Sequence, residues 1–517
     1  MDAALRSPEL FAVIVAYQAG ISADLHPLAV FAKKTLETPV LARRGSGGRS
    51  VRNRSKHLVA FAELFAPWYD RFGRRHLVRL FAALPRIGPL CFAHAVAYGN
   101  IPLLRYLHAA ERASAPSCAP ALAAGHGQLT ALVFLRTHGY TGFDRRCFEC
   151  AAQHGDVGTM VYLFAACATV APAPTHLLAL AAAAGHQPLV EYFAANHIVD
   201  ASLSTALDAA AAAGHVAVTR FLHDEGFACS TDAMDGAAAG SHLTVLRFLH
   251  AQRAEGCSAK AISTAAKHGH LEVVRFLCEV VRAPCDPDLL DVAVGGGHLD
   301  VVAYLVSQRA SLPLAVSVEA FDEVCAKGHL AVAQFLHAQL PGVLCSSRAM
   351  DAAAANGHLA VVAFLDAHRG EGCSTLALDQ AATNGYLDVV KYLHRHRREG
   401  CTQEAMDMAA TNGYLDVVRF LHRHRTEGCS TWAMDFASKH GHLEVVRFLH
   451  SHRREGCTDD ALNMAAQQGH LEVVRFLCEH RTEGNLLEAL ANASANHHDA
   501  VERYLLSVLS REPWPER

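Results

Sequence analysis

The sequence predicts an all-α fold, a helical-repeat solenoid of about fifteen helix–turn–helix units. Three observations carry this. The first is a segment of the form GHLEVVRFLH, seen at Gly269, Gly441 and Gly469, whose first position recurs along most of the chain. That position is held by Gly99, Gly127, Gly155, Gly185, Gly214, Ser241, Gly269, Gly297, Gly328, Gly357, Gly385, Gly413, Gly441, Gly469 and His497. Neighbours are 27 to 31 residues apart, with a step of 28 for each of the last five. The second is composition: 51% hydrophobic and 19% charged residues, rich in alanine, which lets helices pack closely. The third is length. A single core would not normally serve 517 residues, whereas a stack of units grows without one.

Residues 402–429 show how a unit is built. Ala405, Met406, Ala409 and Ala410 form one apolar stripe on a short first helix. Gly413 ends it, because a left-handed residue after the last turn costs glycine nothing. Leu415, Val417, Val418, Phe420 and Leu421 form a wider apolar face on a second helix. The opposite side, with Asp416, Arg419, His422, Arg423 and Arg425, is expected to be solvated. Glu427 and Gly428 turn the chain into the next unit.

The pattern AMDxAAxxGHLEVVRFL is similar to the ankyrin repeat, and the resemblance covers about residues 87–508. It implies stacked helical hairpins whose inner, concave surface binds proteins. The chain departs from the family in two ways. An aspartate (208, 235, 291, 322, 351, 379, 407 and 435) stands where the family has histidine in its Thr-Pro-Leu-His motif. It is expected to bond backbone N–H groups and to link repeats. The repeat is also about five residues shorter than the family's usual ~33, so the projecting hairpin fingers should shrink to tight loops.

The residue after each marker is histidine at 186, 215, 242, 270, 298, 329, 358, 442 and 470, and tyrosine at 386 and 414. Because tyrosine substitutes, packing or hydrogen bonding at the start of the second helix is expected rather than metal ligation. Cys229, Cys257 and Cys285, then Cys345, Cys373, Cys401, Cys429 and Cys457, hold one loop position at 28-residue spacing. Neighbouring units lie roughly 8–10 Å apart, beyond the ~7 Å reach of a disulfide, so these thiols are expected to be reduced. Cys147 and Cys150 form a CxxC with no second pair at zinc spacing. No nucleophile elbow, phosphate-binding glycine loop or HExxH motif stands in a supporting context. Neither an enzyme nor a cofactor is expected.

Positions free of scaffold duty should carry recognition. On the first helices and the turns after them these are Gln380, Thr383, Asn384, Met408, Thr411, Asn412, Phe436, Lys439, His440, Met464, Gln467 and Gln468. Methionine and aromatic residues suit an adaptable protein interface, although Met408, Phe436 and Met464 at helical spacing fit packing against the next repeat equally well. Arg395, Arg397, Arg398, Arg423, Arg425, Arg453, Arg454 and Arg481 cluster near second-helix C-termini beside Glu399, Glu427, Glu455 and Glu483. There they complement the helix dipole and read as a salt-bridged, solvated face.

Residues 1–42 read as an N-terminal helical segment. Across about residues 6–35, Pro8, Glu9 and Leu10, then Ile14 and Tyr17, Asp24, Leu25, Leu28, Ala29 and Lys33 resemble the F-box. That resemblance implies docking on the Skp1 adaptor of a ubiquitin ligase through Pro8, Leu10 and Ile14; the alternative is a plain cap over the stack, which solenoids require. Residues 43–57 read as a basic flexible linker, with six basic residues, three glycines and no acid over 43–56. Residues 58–86 read as a helical cap or degenerate repeat, 87–508 as the array and 509–517 as a frayed tail. The net charge of −4 does not favour a polyanion partner, although the basic linker keeps nucleic acid as an alternative. No apolar run is long enough to span a bilayer and no secretory leader is evident. The expectation is an intracellular monomer that binds a protein.

Overall fold

The alternation of a short alanine-rich stretch, a glycine and a longer Val/Leu stretch folds as paired helices in the computed structural model. It describes residues 25, 27–28, 31, 49–84, 87–110, 116–199, 205–308 and 315–510, with backbone alone over 49–57. Among the described residues every regular element is helical. The chain divides into two units, residues 1–258 and 259–517.

The first unit opens with a helix over Arg49–Ala83, broken at Gly73 by a positive φ of 64°. Residues 49–57, expected in a flexible linker, therefore lie on this helix. Six helical hairpins follow among the described residues, from Gly88–Ala97 paired with Ile101–Ala109 to Thr231–Ala239 paired with Leu243–Gln252. The long helix contributes an aromatic core that includes Phe61, Phe65 and Trp68. Phe31 lies against Phe61 with ring centres 5.8 Å apart.

His94 is buried in this core, 5% exposed. Phe61 and Phe65 meet its ring edge-on at 6.1 and 5.0 Å. Burial pushes its pKa down to about 4, with Asp70 opposing. Unfolding returns the imidazole to its ordinary value near 6.5. Between these values the unfolded chain binds more protons, so stability rises with pH across that window and is lost as pH falls through it. The first unit should lose about 3 kcal/mol between pH 7 and pH 4 from this group alone. Thermal melts of the wild type and His94→Leu check this: the variant should have a visibly flatter dependence between pH 4 and 6.5, and parallel curves would refute it.

The second unit holds nine hairpins among the described residues, from Ala259–Lys267 to Asp499–Leu509. In the hairpin of Glu404–Thr411 and Leu415–His424, Ala405, Met406, Ala409 and Ala410 are buried beside Val417, Val418 and Leu421. The turn is a Schellman motif: the Gly413 N–H bonds Ala410 O at 3.1 Å and the Tyr414 N–H bonds Ala409 O at 2.9 Å. The following loop to the next hairpin carries no strand, in keeping with the shortened repeat.

Three side-chain devices couple one hairpin to the next. The first is the aspartate ladder. All eight aspartates accept the backbone N–H of a Ser or Thr in the following loop, at 2.8 to 3.0 Å. All but Asp291 also accept that residue's hydroxyl. In six of the eight, the Ser or Thr oxygen in turn accepts an N–H of the next first helix two residues on. The carboxylate, set in the first turn of its own helix at 208, 291, 407 and 435, thus also serves the cap of the next.

The second device places the His or Tyr ring over the glycine of the preceding hairpin. A Cβ on Gly385 would meet the Tyr414 ring at 2.6 Å, and one on Gly413 the His442 ring at 2.7 Å. His186 and His215 in the first unit and His498 in the second also share a ring proton with a backbone carbonyl there.

The third joins second helices through rings. His394 meets Phe420 edge-on at 5.5 Å, and Phe420 lies over His424 at 4.6 Å. The same triplet recurs as His422–Phe448–His452 and His450–Phe476–His480. Burial, then the neighbouring arginines, depress the pKa of His394, His422 and His450, which keeps these rings neutral at pH 7. His422 and Arg425 were expected on a solvated face. Both are instead partly covered: His422 lies against Phe448 of the next hairpin, and Arg425 follows the helix in extended backbone rather than standing on its outer face. Arg425 pairs with Glu427 and covers Gly400.

All sixteen cysteines are free thiols. Burial is the main cause holding Cys401, Cys429 and Cys457 up at about 11, so they are poor nucleophiles.

Candidate functional site

With the inner faces of the first helices committed to the stack, their outward positions form a grid across four consecutive hairpins of the second unit. The helices are Thr375–Thr383, Glu404–Thr411, Trp432–Lys439 and Asp460–Gln468. One row is Gln380, Met408, Phe436 and Met464; the next along each helix is Thr383, Thr411, Lys439 and Gln467. Met408 is 39% exposed and Gln380 is exposed, while Phe436 and Met464 are half-buried. The row is therefore surface that also leans on its neighbours, between the two readings the spacing allowed. Lys439 holds its ammonium 5.3 Å from the Phe436 ring centre.

The polar members fall into two groups. Thr383 and Thr411 return their hydroxyls to Asp379 O and Asp407 O, each at 2.8 Å. Asn384 and Asn412 donate to Ala355 O and Thr383 O of the preceding hairpins, at 2.8 and 2.9 Å. These four side chains carry scaffold bonds. His440 shares its Nδ1 with Phe436 O at 2.9 Å. Gln467 and Gln468 are exposed. Pro8, Leu10 and Ile14, the residues assigned to Skp1 docking, lie outside the described residues.

A further row was missed by the sequence reading: Leu376, Glu404, Trp432 and Asp460, at the start of each first helix. Trp432 is 65% exposed and Leu376 51%. Trp432 touches Phe436 edge-on with ring centres 6.0 Å apart. The signal was present in the repeat itself. At one position of a near-identical unit the residue changes from Leu to Glu to Trp to Asp, which no packing requirement would tolerate.

The second-helix side differs in character. Arg397, Arg425, Arg453 and Arg481 each pair with the glutamate two residues on. The Arg397 guanidinium holds the Glu399 carboxyl down at about 2, against opposing desolvation. An open groove lined by residues including Arg447, His450, Arg475 and Phe476 also has its cations matched, Arg447 by Glu444 at 3.7 Å and Arg475 by Glu472 at 3.6 Å. Among the described residues no group of three or more His, Cys, Asp or Glu is placed to hold a metal ion. No described helix is long and apolar enough to cross a membrane.

Stacked helical hairpins with an exposed, variable first-helix face define a helical-repeat protein. Its C-terminal part is more specific: residues 349–435, 378–459 and 434–512 match the model "Ankyrin repeats (3 copies)". Over residues 349–512 the chain is thus similar to ankyrin repeats. No curated protein matches the chain. A solved structure with some likeness is the crystal structure of the pentatricopeptide repeat protein PPR10 from maize, at 13% identity and a TM-score of 0.27. It covers 99% of this chain and 89% of that one; so low a score fixes nothing about the fold, which rests on the hairpins themselves. Ankyrin and other helical repeats generally mediate protein–protein interaction and are typically binding scaffolds rather than enzymes.

Proposed function

We propose that the chain is a non-enzymatic scaffold that binds a protein partner on the first-helix face of residues 375–468. The observation that carries this is the exposure of Leu376, Met408 and Trp432 in consecutive hairpins. Alanine, Leu and Met fill the scaffold positions of the same helices and are buried. Large apolar side chains left in water at the variable positions of an otherwise repeated unit are characteristic of recognition surfaces. The backbone beneath them is set by the ladder and the glycine turns, so little order is lost on binding.

Substituting Met408→Ser, Trp432→Ala and Phe436→Ser together in the full chain provides the test. Proteins captured by the wild type should be lost, with helical content and melting little changed. Capture of the same proteins by the variant would place the partner elsewhere.

A further inference from the structure

We infer that this face recognises a basic segment of the partner, with a lysine or arginine seated on Trp432 between Glu404 and Asp460 and an apolar neighbour on Met408 and Phe436. The inference rests on the scaffold reading above and adds the chemistry of the partner.

Trp432 has no evident structural duty. It starts its helix, is 65% exposed, and has one ring neighbour, Phe436. Aromatic residues hold no advantage in helix propensity. Its column neighbours, one hairpin before and one after, are the exposed carboxylates of Glu404 and Asp460, with exposed Asp459 beside the latter. Acids in a first helical turn suit the dipole, which accounts for these carboxylates but not for the tryptophan set between them.

Three features choose a cation. None of Glu404, Asp459 and Asp460 forms an ion pair among the described residues, and no described cation lies over Trp432. The turns beside this row carry Arg397, Arg425 and Arg453, each already matched by its own glutamate. Arg398 and Arg454 are exposed there, two cations against the three carboxylates of Glu404, Asp459 and Asp460, so the row stays acidic by one charge. An indole face attracts cations, most strongly when carboxylates flank it. The face already accepts an ammonium one turn further along, where Lys439 lies against Phe436. An acidic peptide or a nucleic acid would meet repulsion from the same three carboxylates.

The probe is a library of random peptides displayed on phage, selected on the full-length chain and depleted on the full-length Trp432→Ala variant. Enriched peptides should carry Lys or Arg next to an aliphatic or aromatic residue. Synthesised, they should bind Trp432→Ala about tenfold more weakly than the wild type. The double substitution Glu404→Lys and Asp460→Lys, at two exposed sites, should turn the preference toward acidic peptides. Enriched peptides that are acidic or uncharged, yet still lost with Trp432→Ala, would overturn the cationic chemistry and leave the face reading standing. A selection that yields no peptide after depletion and, without depletion, only peptides bound equally by the wild type, Trp432→Ala and the Met408/Trp432/Phe436 triple variant would overturn both.

Discussion

Replacing Asp435 by alanine is expected to destabilise the hairpins around it by about 2–4 kcal/mol. Asp435 is 2% exposed and accepts the Thr458 N–H at 2.8 Å and the Thr458 hydroxyl at 2.9 Å. Alanine leaves both donors without their acceptor in a closed space, at roughly 1–3 kcal/mol each. It also loosens Thr458 Oγ1, which accepts the Asp460 N–H at 3.2 Å and so begins the next helix. Burial pushes the Asp435 carboxyl up despite the Thr458 bonds. Keeping it ionised therefore offsets part of the gain, which places the estimate below the sum of two charged bonds. Asp435→Asn should cost less, since Oδ1 still takes the N–H. The array contains its own reference: Asn463 stands at the ladder position one repeat later, with Leu486 where the hydroxyl would be, and its Oδ1 has no hydrogen-bond partner. Because a repeat array opens in parts, the readout is amide exchange in Asp460–Gln468. A cycle of Asp435→Ala with Thr458→Val should show strong coupling, and wild-type exchange in the alanine variant would reject the ladder's role.

Gly413→Ala is expected to cost a similar amount, about 2–4 kcal/mol, from two separable sources. The first is a backbone at φ 79°, which costs an L-residue roughly 1–2 kcal/mol. The second is space, because the new Cβ would come within 2.7 Å of the His442 ring of the next hairpin. Adding His442→Ala should recover the second part and leave the first. Equal losses in the single and double variants would show that the ring imposes nothing. Ser241 at φ 62° and His497 at φ 59° occupy the corresponding turn in other repeats, so the expected outcome is local opening and a lower denaturation midpoint rather than an unfolded chain.

Much of this was legible in the sequence because a repeat is its own control. Period alone marked the repeated apolar, aspartate and glycine positions, and the glycine marker located each turn, including Ser241 and His497, which keep its left-handed backbone. The aspartates announced a link between repeats by recurring at a fixed place. Their partner was not legible, since a Ser or Thr 22 to 26 residues ahead is only an ordinary cap until the next hairpin is folded against it. The histidine column was read as packing, but the surface it packs on, a bare glycine one repeat back, comes from the stacking.

The functional face divides the same way. Sequence nominated Met408 and Phe436 but could not say whether they looked inward or outward, because helical spacing is the same for both. It passed over Trp432, whose importance lies in its exposure and in the carboxylates of the repeats on either side. Helix boundaries, turns and the apolar stripe are local consequences of backbone sterics and burial, and one chain segment determines them. Which side chain remains in water, which asparagine is tied to a neighbouring carbonyl, and which charges flank an aromatic ring depend on residues about 28 positions apart brought side by side. Only the packed stack decides those, since no local rule sets the distance between separate hairpins.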